Sequence, residues 1–157
     1  MVTEEQKKNR QIELVNSVMF GLGKGLYDVL GDSTMRVMAV VGQHTLCDME
    51  NRIGREVKGG DAGAILAEVG RILVDEYGVL SAFEPSSLGG TLAQVICTGC
   101  LFKPASIQLR DADIPAHTCI PESIITAALR NRLHVPAHII GIEVSDDHCV
   151  LTGDIAG

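Results

Sequence analysis

The chain has 157 residues and a formal net charge of −7, and hydrophobic residues make up 46% of it. Residues 1–157 are therefore predicted to form one domain, whose core is aliphatic because only 3% of the residues are aromatic. The acidic balance argues against nucleic acid and anionic membrane surfaces as partners, since both are bound through Lys and Arg.

The N-terminal segment and the cysteine count predict the compartment. The first ten residues contain no apolar segment of the kind found in signal peptides, and no apolar run reaches the length of a transmembrane helix. We therefore expect a cytoplasmic protein without a membrane span. Five cysteines in a reducing compartment predict free thiols, metal ligands or redox groups rather than structural disulfides.

A long helix is predicted to begin the chain, because Thr3 and Gln6 have the spacing of a capping box. Its apolar residues alternate spacings of three and four and form one continuous stripe. The stripe comprises Ile12, Val15, Met19, Leu22, Leu26 and Val29. Gly21 and Gly25 lie one turn apart, so they either let another backbone approach closely or mark a bend.

The rest of the chain is predicted to form two further helices, a hairpin, a fourth helix and a second hairpin. Turn signals place the two helices over 33–55 and 61–77, and Pro121 opens the fourth helix after a polar loop. The strands are predicted over 79–84 and 91–96, with a loop over 85–90, and over 138–144 and 149–155. In the third strand, Ile140, Ile142 and Val144 share one face.

This order of elements predicts the fold class. No βαβ crossover is needed to connect the strands, so the strands can pair as antiparallel neighbours. We therefore expect an α+β fold, in which helices pack on one face of an antiparallel sheet of about four strands.

Four cysteines are the candidate functional residues, because each lies at the end of a predicted element. They are Cys97, Cys100, Cys119 and Cys149. Four thiolates can hold one tetrahedral metal ion, and their softness favours zinc. His117 and His148 are reserve ligands.

Two other interpretations of the cysteines remain open at this point. Cys97 and Cys100 form a C-x-x-C pair, which also suits a thiol oxidoreductase, although the thioredoxin-like βαβ context is absent. The four thiols also fit small buried side chains without chemistry.

No other catalytic motif occurs, so no catalytic residue is assigned and an enzyme is the less favoured class. The remaining carboxylates, Glu122 among them, are predicted to be solvated surface charges.

Three runs in the second half resemble the 4-vinyl-reductase domain family, also called hydrocarbon-binding or TRAPP-like. They are V-I-C-T-G-C-L-F at 95–102, I-P-A-H-T-C-I-P-E-S-I-I-T-A-A-L at 114–129 and I-I-G-I-E-V-S-D-D-H-C-V-L at 139–151. The resemblance implies a TRAPP-subunit-like fold with helices on a twisted antiparallel sheet, and a homodimer through the N-terminal helices. It also implies binding of a small apolar or aromatic ligand, as in a sensor domain.

The resemblance also bears on the metal. Related sensor domains of phenol-responsive regulators bind zinc through cysteines and a glutamate. By position, Cys119 and Cys149 match the cysteine before the helix and the cysteine in the last strand. The family's Glu-x-x-Cys is missing, because the residue three positions after Glu143 is Asp146 and not a cysteine. A complete site therefore requires Cys97 and Cys100.

The favoured function is thus a ligand-binding or sensor domain with a zinc-type site, and the alternatives are a thiol or reductase enzyme and a dimeric scaffold subunit.

Overall fold

The computed structural model describes residues 1–89 and 91–156. Within that part of the chain, five α-helices accompany one four-stranded antiparallel sheet, so the predicted α+β class is confirmed. The helices are α1 (Glu4–Leu30), α2 (Thr34–Ile53), α3 (Ala62–Arg71, continued by a π-helical turn over Ile72–Glu76), α4 (Lys103–Asp111) and α5 (Ile120–Leu133). The strands are β1 (Ala82–Gly89), β2 (Leu92–Thr98), β3 (Ala137–Val144) and β4 (His148–Ile155).

Two hairpins lie side by side in the sheet, whose strand order is β1-β2-β4-β3. β1 and β3 are the edge strands, and β2 and β4 form the central, antiparallel pair that joins the two hairpins. This pairing sets Cys97 directly opposite Cys149. Helices α4 and α5 connect the two hairpins, which brings the loops before both helices to the same end of β2.

The N-terminal half follows the sequence signals closely. Thr3 caps α1 through a complete capping box with Gln6, as the spacing predicts. Asp61 caps α3, since its side chain accepts a hydrogen bond of 2.9 Å from the Ala64 amide. The predicted second and third helices are therefore confirmed, with ends within about two residues of the expected positions.

The predicted strands and loops needed three corrections. The loop expected over 85–90 is largely strand, because β1 begins at Ala82 and continues to Gly89 with an irregularity near its end; Gly90 lies outside the described residues. The polar loop expected after Cys100 contains α4. In β3 a bulge between Ile139 and Gly141 changes the facing of the strand, so Ile140 is exposed instead of sharing a buried face.

The core lies between α2, α3, α5 and the sheet. Ile65, Ile125 and Leu151 are almost completely buried there. Helices α2 and α5 cross at Gly42, where an added Cβ atom would lie 2.1 Å from the carbonyl oxygen of Ser123. Only glycine permits this crossing, which fixes the distance between α2 and α5.

Helix α1 does not bury the stripe that its periodicity predicts. Its two buried residues are Asn16 and Gly23, which face α4 and the loop before α5. Val15, Leu22 and Val29 of the predicted stripe are more than a third exposed. The other three residues of the stripe are half-buried, so only part of the stripe lies on the outward side of the helix. In the described part of the chain, no helix combines the length and the hydropathy that crossing a membrane would require.

Candidate functional site

A pocket of about 550 Å³ opens between α2, α5, β3 and the loop that precedes α5. Met35 and Ala39 of α2 form one apolar wall, and Pro115 and Ala116 of the loop form the floor beside it. Positions 139–142 of β3 supply the opposite apolar wall. The volume lies within the range of roughly 300–1,000 Å³ that small-molecule sites occupy.

Glu122, in the first turn of α5, is a polar group of the pocket wall. Burial raises the pKa of its carboxyl to about 6, against the opposing effects of a hydrogen bond from Thr126 and the positive charge of Arg130. The Thr126 hydroxyl donates to the carboxylate at 3.0 Å. The prediction that Glu122 is a solvated surface charge is wrong, because the helix turns it toward the pocket and away from solvent.

Arg130 and His138 form a second polar group in the same wall. Arg130 Nε donates to the carbonyl oxygen of Ala137 at 2.6 Å, and its Nη2 lies 2.9 Å from Nδ1 of His138. These bonds attach the last turns of α5 to the start of β3. The guanidinium lies beside the pocket and forms no ion pair among the described residues.

Arg36 and His117 line the pocket near α2. Arg36 is exposed and, over residues 1–89 and 91–156, has no carboxylate partner. The His117 ring lies 6.2 Å from the Tyr27 ring between centroids, and its Nε2 is 3.6 Å from Asp32 Oδ1. That nitrogen is buried and lacks a hydrogen-bond partner within the described chain, so the pocket wall contains an unsatisfied polar atom.

The four candidate cysteines line a different cavity, between the centre of the sheet and the loops before α4 and α5. Its volume is about 10 Å³, which fits a single atom or ion and excludes an organic ligand. Cys97 and Cys149 are buried on facing strands, while Cys100 and Cys119 are half-buried at the two loop ends. The structure thus brings the thiols of the C-x-x-C pair to the same cavity as two cysteines that are distant in sequence.

Burial dominates the acidity of these thiols. It raises the pKa of Cys97 to about 12, and the charges of Cys100 and Cys149 add to the increase. Burial also raises the pKa of Cys149, although the nearby ammonium of Lys103 opposes it. In the absence of a bound cation, all four thiols are therefore protonated at neutral pH.

The zinc prediction is not tested by this arrangement. Within the part of the chain that the structure describes, no three His, Cys, Asp or Glu side chains stand in an arrangement that could hold a metal ion. The reserve ligands lie elsewhere: His117 lines the larger pocket, and His148 contacts Asp147 at 2.7 Å. The donor chemistry of four thiols around an ion-sized space fits zinc, whereas their present orientation does not complete a coordination sphere.

Sequence reasoning found the cysteines but missed the larger pocket. Its polar residues come from three separate segments and form no motif, and a lone Arg36 or Glu122 in a helix is most often a solvated charge. The signal that was available is the position of Glu122 directly after the two apolar residues that begin α5.

Comparison with known proteins gives a likeness of fold. No family model matches the chain, and no curated protein matches it. Among solved structures, the chain is similar to the crystal structure of the phenol-responsive sensory domain of the transcription activator PoxR with phenol. The TM-score is 0.53 at 14% identity, over 89% of this chain and 74% of that chain. At this identity the likeness establishes a shared fold and nothing more specific.

Proposed function

We propose that the protein is a small-molecule-binding or sensor domain whose ligand occupies the pocket between α2, α5 and β3. The observation that supports this most directly is the pocket itself, with apolar walls and a few convergent polar groups at a volume of about 550 Å³. A ligand of this kind would be held by burial of apolar surface and oriented by the polar groups.

Two likenesses support the same function. The chain shares its fold with a sensory domain that was crystallised with phenol. Its cysteine and helix pattern resembles the 4-vinyl-reductase, or hydrocarbon-binding, family, and we propose membership of that family. Both likenesses point to a ligand that is mainly apolar, which the aliphatic walls of the pocket suit.

The proposal is tested by filling the pocket. Ala39→Phe places a ring in the space beside Met35, whereas Ala67→Phe places the same ring on the exposed side of α3. Calorimetric titration with 2-naphthol, a neutral apolar probe, should show binding to the wild type and to Ala67→Phe. Ala39→Phe should weaken it at least about tenfold, because the space is occupied. Equal binding by all three proteins would contradict the proposal.

We propose that the cysteine cavity is a structural zinc site formed by Cys97, Cys100, Cys119 and Cys149. The convergence of the four thiols supports this, as does the ion-sized space between them. Zinc would lower the thiol pKa values by its charge and keep the four sulfurs as thiolates. The bound ion would join the sheet to the loops that precede α4 and α5.

We also propose that the chain forms a homodimer through α1. Positions 14, 18, 22 and 29 are exposed aliphatic residues on one side of this helix, and Gly21 and Gly25 lie on the same side. A Cβ atom added at either glycine would meet nothing of this chain within 4 Å, so another backbone has room to approach there. The face carries no charge at its centre, which favours an identical apolar face as its partner.

The enzymatic alternative, a thiol oxidoreductase or a reductase, is less well supported. Such chemistry needs a thiolate, but burial raises the pKa of Cys97 to about 12, so the nucleophilic form would be scarce at neutral pH. A scaffold subunit that acts only through its dimer surface would leave the pocket without a role.

A further inference from the structure

The charges around the pocket differ from those of the chain as a whole. The chain has a formal net charge of −7. Among the described residues that line the pocket, however, Arg36 and Arg130 provide two guanidinium groups and Glu122 provides the one carboxylate. The lining of the pocket therefore carries one more positive than negative side chain, which favours an anionic group of a ligand at an arginine.

The two guanidinium groups differ in how far they are engaged. Arg130 donates hydrogen bonds to Ala137 and His138, and its positive charge partly offsets the burial that raises the pKa of Glu122. Arg36 makes no hydrogen bond or ion pair through its side chain within residues 1–89 and 91–156. It is exposed at the edge of the pocket, next to the apolar surface of Met35 and Ala39. Arg36 is thus free to bind a carboxylate in the bidentate manner that a planar guanidinium favours.

The size of the pocket limits the apolar part of the ligand. A cavity of roughly 150 Å³ is enough to hold one benzene ring. The pocket has about 550 Å³, so a single aromatic ring would leave most of the apolar wall in contact with water. A body of two or more rings, or a chain of equivalent volume, fits the space better.

Taking the proposed binding function as its premise, we infer that the ligand is an amphipathic carboxylic acid larger than one aromatic ring. Its carboxylate is bound by Arg36 at the mouth of the pocket, and its apolar body lies between Ala39 and the β3 wall at 139–142. Glu122 lies on the α5 wall, where it disfavours a second anionic group deeper in the pocket. This orientation leaves the carboxylate as the one charged end of the ligand.

The inference is tested with four probes of matched shape on the full chain. Naphthalene-2-carboxylate, 2-naphthol, 2-naphthylmethylamine and benzoate are titrated separately by calorimetry. Naphthalene-2-carboxylate should bind at least about tenfold more tightly than 2-naphthol or the amine, since only the acid forms a charge-assisted pair. It should also exceed benzoate at least about tenfold, because the second ring buries more apolar surface. Equal affinity for the acid and 2-naphthol, tighter binding of the amine, or equal affinity for benzoate overturns the inference.

Two matched variants assign the carboxylate to its partner. Arg36→Met keeps an apolar side chain of similar length and should weaken naphthalene-2-carboxylate by about tenfold to a hundredfold, while 2-naphthol binding is unchanged. Arg10→Met, on the exposed side of α1, should leave both affinities as in the wild type. Unchanged acid binding by Arg36→Met overturns the role of Arg36. If no probe binds the wild type at all, the proposed binding function fails together with this inference, whereas binding without preference for the acid removes this inference alone.

Discussion

Asn16 shows how a single polar side chain connects the N-terminal helix to the cysteine region. It is 95% buried, and its Nδ2 donates to the Leu101 carbonyl at 2.9 Å while its Oδ1 accepts from the Ala105 amide at 3.1 Å. Helix α4 has no side-chain cap of its own, so Asn16 satisfies one of its free amide groups from a distance. The sequence does not reveal this contact, because its partners are 89 positions apart.

Replacing Asn16 by alanine should therefore destabilise the protein. We expect Asn16→Ala to lower the free energy of unfolding by about 1–3 kcal/mol, since it leaves buried backbone groups without a partner. Ser17→Ala, at an exposed position of the same helix, should change it by less than about 0.5 kcal/mol. Urea unfolding followed by circular dichroism measures both. Equal stability of the two variants would contradict the capping role.

The four cysteines should bind zinc if the proposed site forms. Elemental analysis of protein purified without chelator should give about one zinc per chain, the stoichiometry of a four-thiolate site. Cys119→Ser and Cys149→Ser should lose the metal and melt at a lower temperature, because binding of the ion contributes to folding. Cys47→Ser, at the exposed cysteine of α2, should retain the zinc and melt at the wild-type temperature. Metal-free protein whose Cys119→Ser and Cys149→Ser variants melt like the wild type would contradict the site.

At the scale of elements, periodicity and caps predicted most helices, whereas boundaries set by tertiary contacts were missed. The capping patterns at Thr3 and Asp61 predicted α1 and α3 because caps are local. Helix α4 was overlooked even though Pro104 stands in its first turn, since a short helix between two cysteine loops is hard to separate from a turn. The bulge that exposes Ile140 depends on pairing with β4, which a single sequence does not encode locally.

The crossing of α2 and α5 should depend on the absence of a side chain at Gly42. Gly42→Ala is expected to destabilise the protein by about 1–3 kcal/mol, because the added methyl group would overlap the backbone of Ser123 and push the helices apart. Gly60→Ala serves as the control, since its Cβ would meet nothing within 4 Å and its effect should stay below about 0.5 kcal/mol. Chemical denaturation compares the two. Wild-type stability of Gly42→Ala would show that the helices are not in such close contact.

Two ion pairs of Glu68, one with Arg71 of the same helix and one with Arg55 beyond the end of α2, should make stability depend on pH. Burial opposes the ionisation of Glu68, but hydrogen bonds from Arg71 and Arg55 outweigh it and lower its pKa below the usual 4.5. A carboxyl whose pKa is lower in the folded than in the unfolded state stabilises the fold at pH values above the unfolded-state pKa. This stabilisation is lost as the pH falls through the lower, native pKa. Glu68→Gln should therefore cost about 1 kcal/mol near neutral pH and progressively less below 4.5.

The measurement is urea unfolding as a function of pH. Glu13→Gln provides the control, because Glu13 is exposed and its side chain has no ion pair among the described residues. Its stability difference from the wild type should not vary with pH. A Glu68→Gln difference that stays constant from acid to neutral pH would show that these ion pairs do not contribute.

At the scale of the whole molecule, ten large aliphatic side chains in residues 14–41 are more than a third exposed in the single chain. Such a concentration is unusual for a monomer and typical of an interface. If α1 pairs with α1 of a second copy, Val18→Glu and Leu22→Glu should weaken dimerisation at least about tenfold, because each buries an unpaired carboxylate. Leu92→Glu, which lies outside this face, should leave dimerisation unchanged.

Sedimentation equilibrium over a range of concentrations distinguishes these outcomes. We expect the wild type and Leu92→Glu to form dimers at concentrations where Val18→Glu and Leu22→Glu are monomers. A monomeric wild type would contradict the homodimer. Dimers that persist in both α1 variants would show that the interface lies elsewhere on the protein.

The sequence predicted the class of fold and the cysteine cluster better than the pocket, for a physical reason. The cysteines form a recognisable spacing, and secondary structure alone places them at element ends. The pocket instead depends on how α2, α5 and β3 pack, and its Arg36, Glu122 and His138 have no spacing that distinguishes them from surface residues. Concave shape is a property of the folded chain, so it had to be read from the structure.

The proposed ligand site is tested most directly by a crystal structure of the protein grown with naphthalene-2-carboxylate or 2-naphthol. We expect density for the naphthalene ring between Ala39 and the β3 wall at 139–142, with the oxygen-bearing end near Arg36. A probe bound elsewhere on the protein, while this pocket is filled by its own side chains, would contradict the central claim that the pocket is the ligand site.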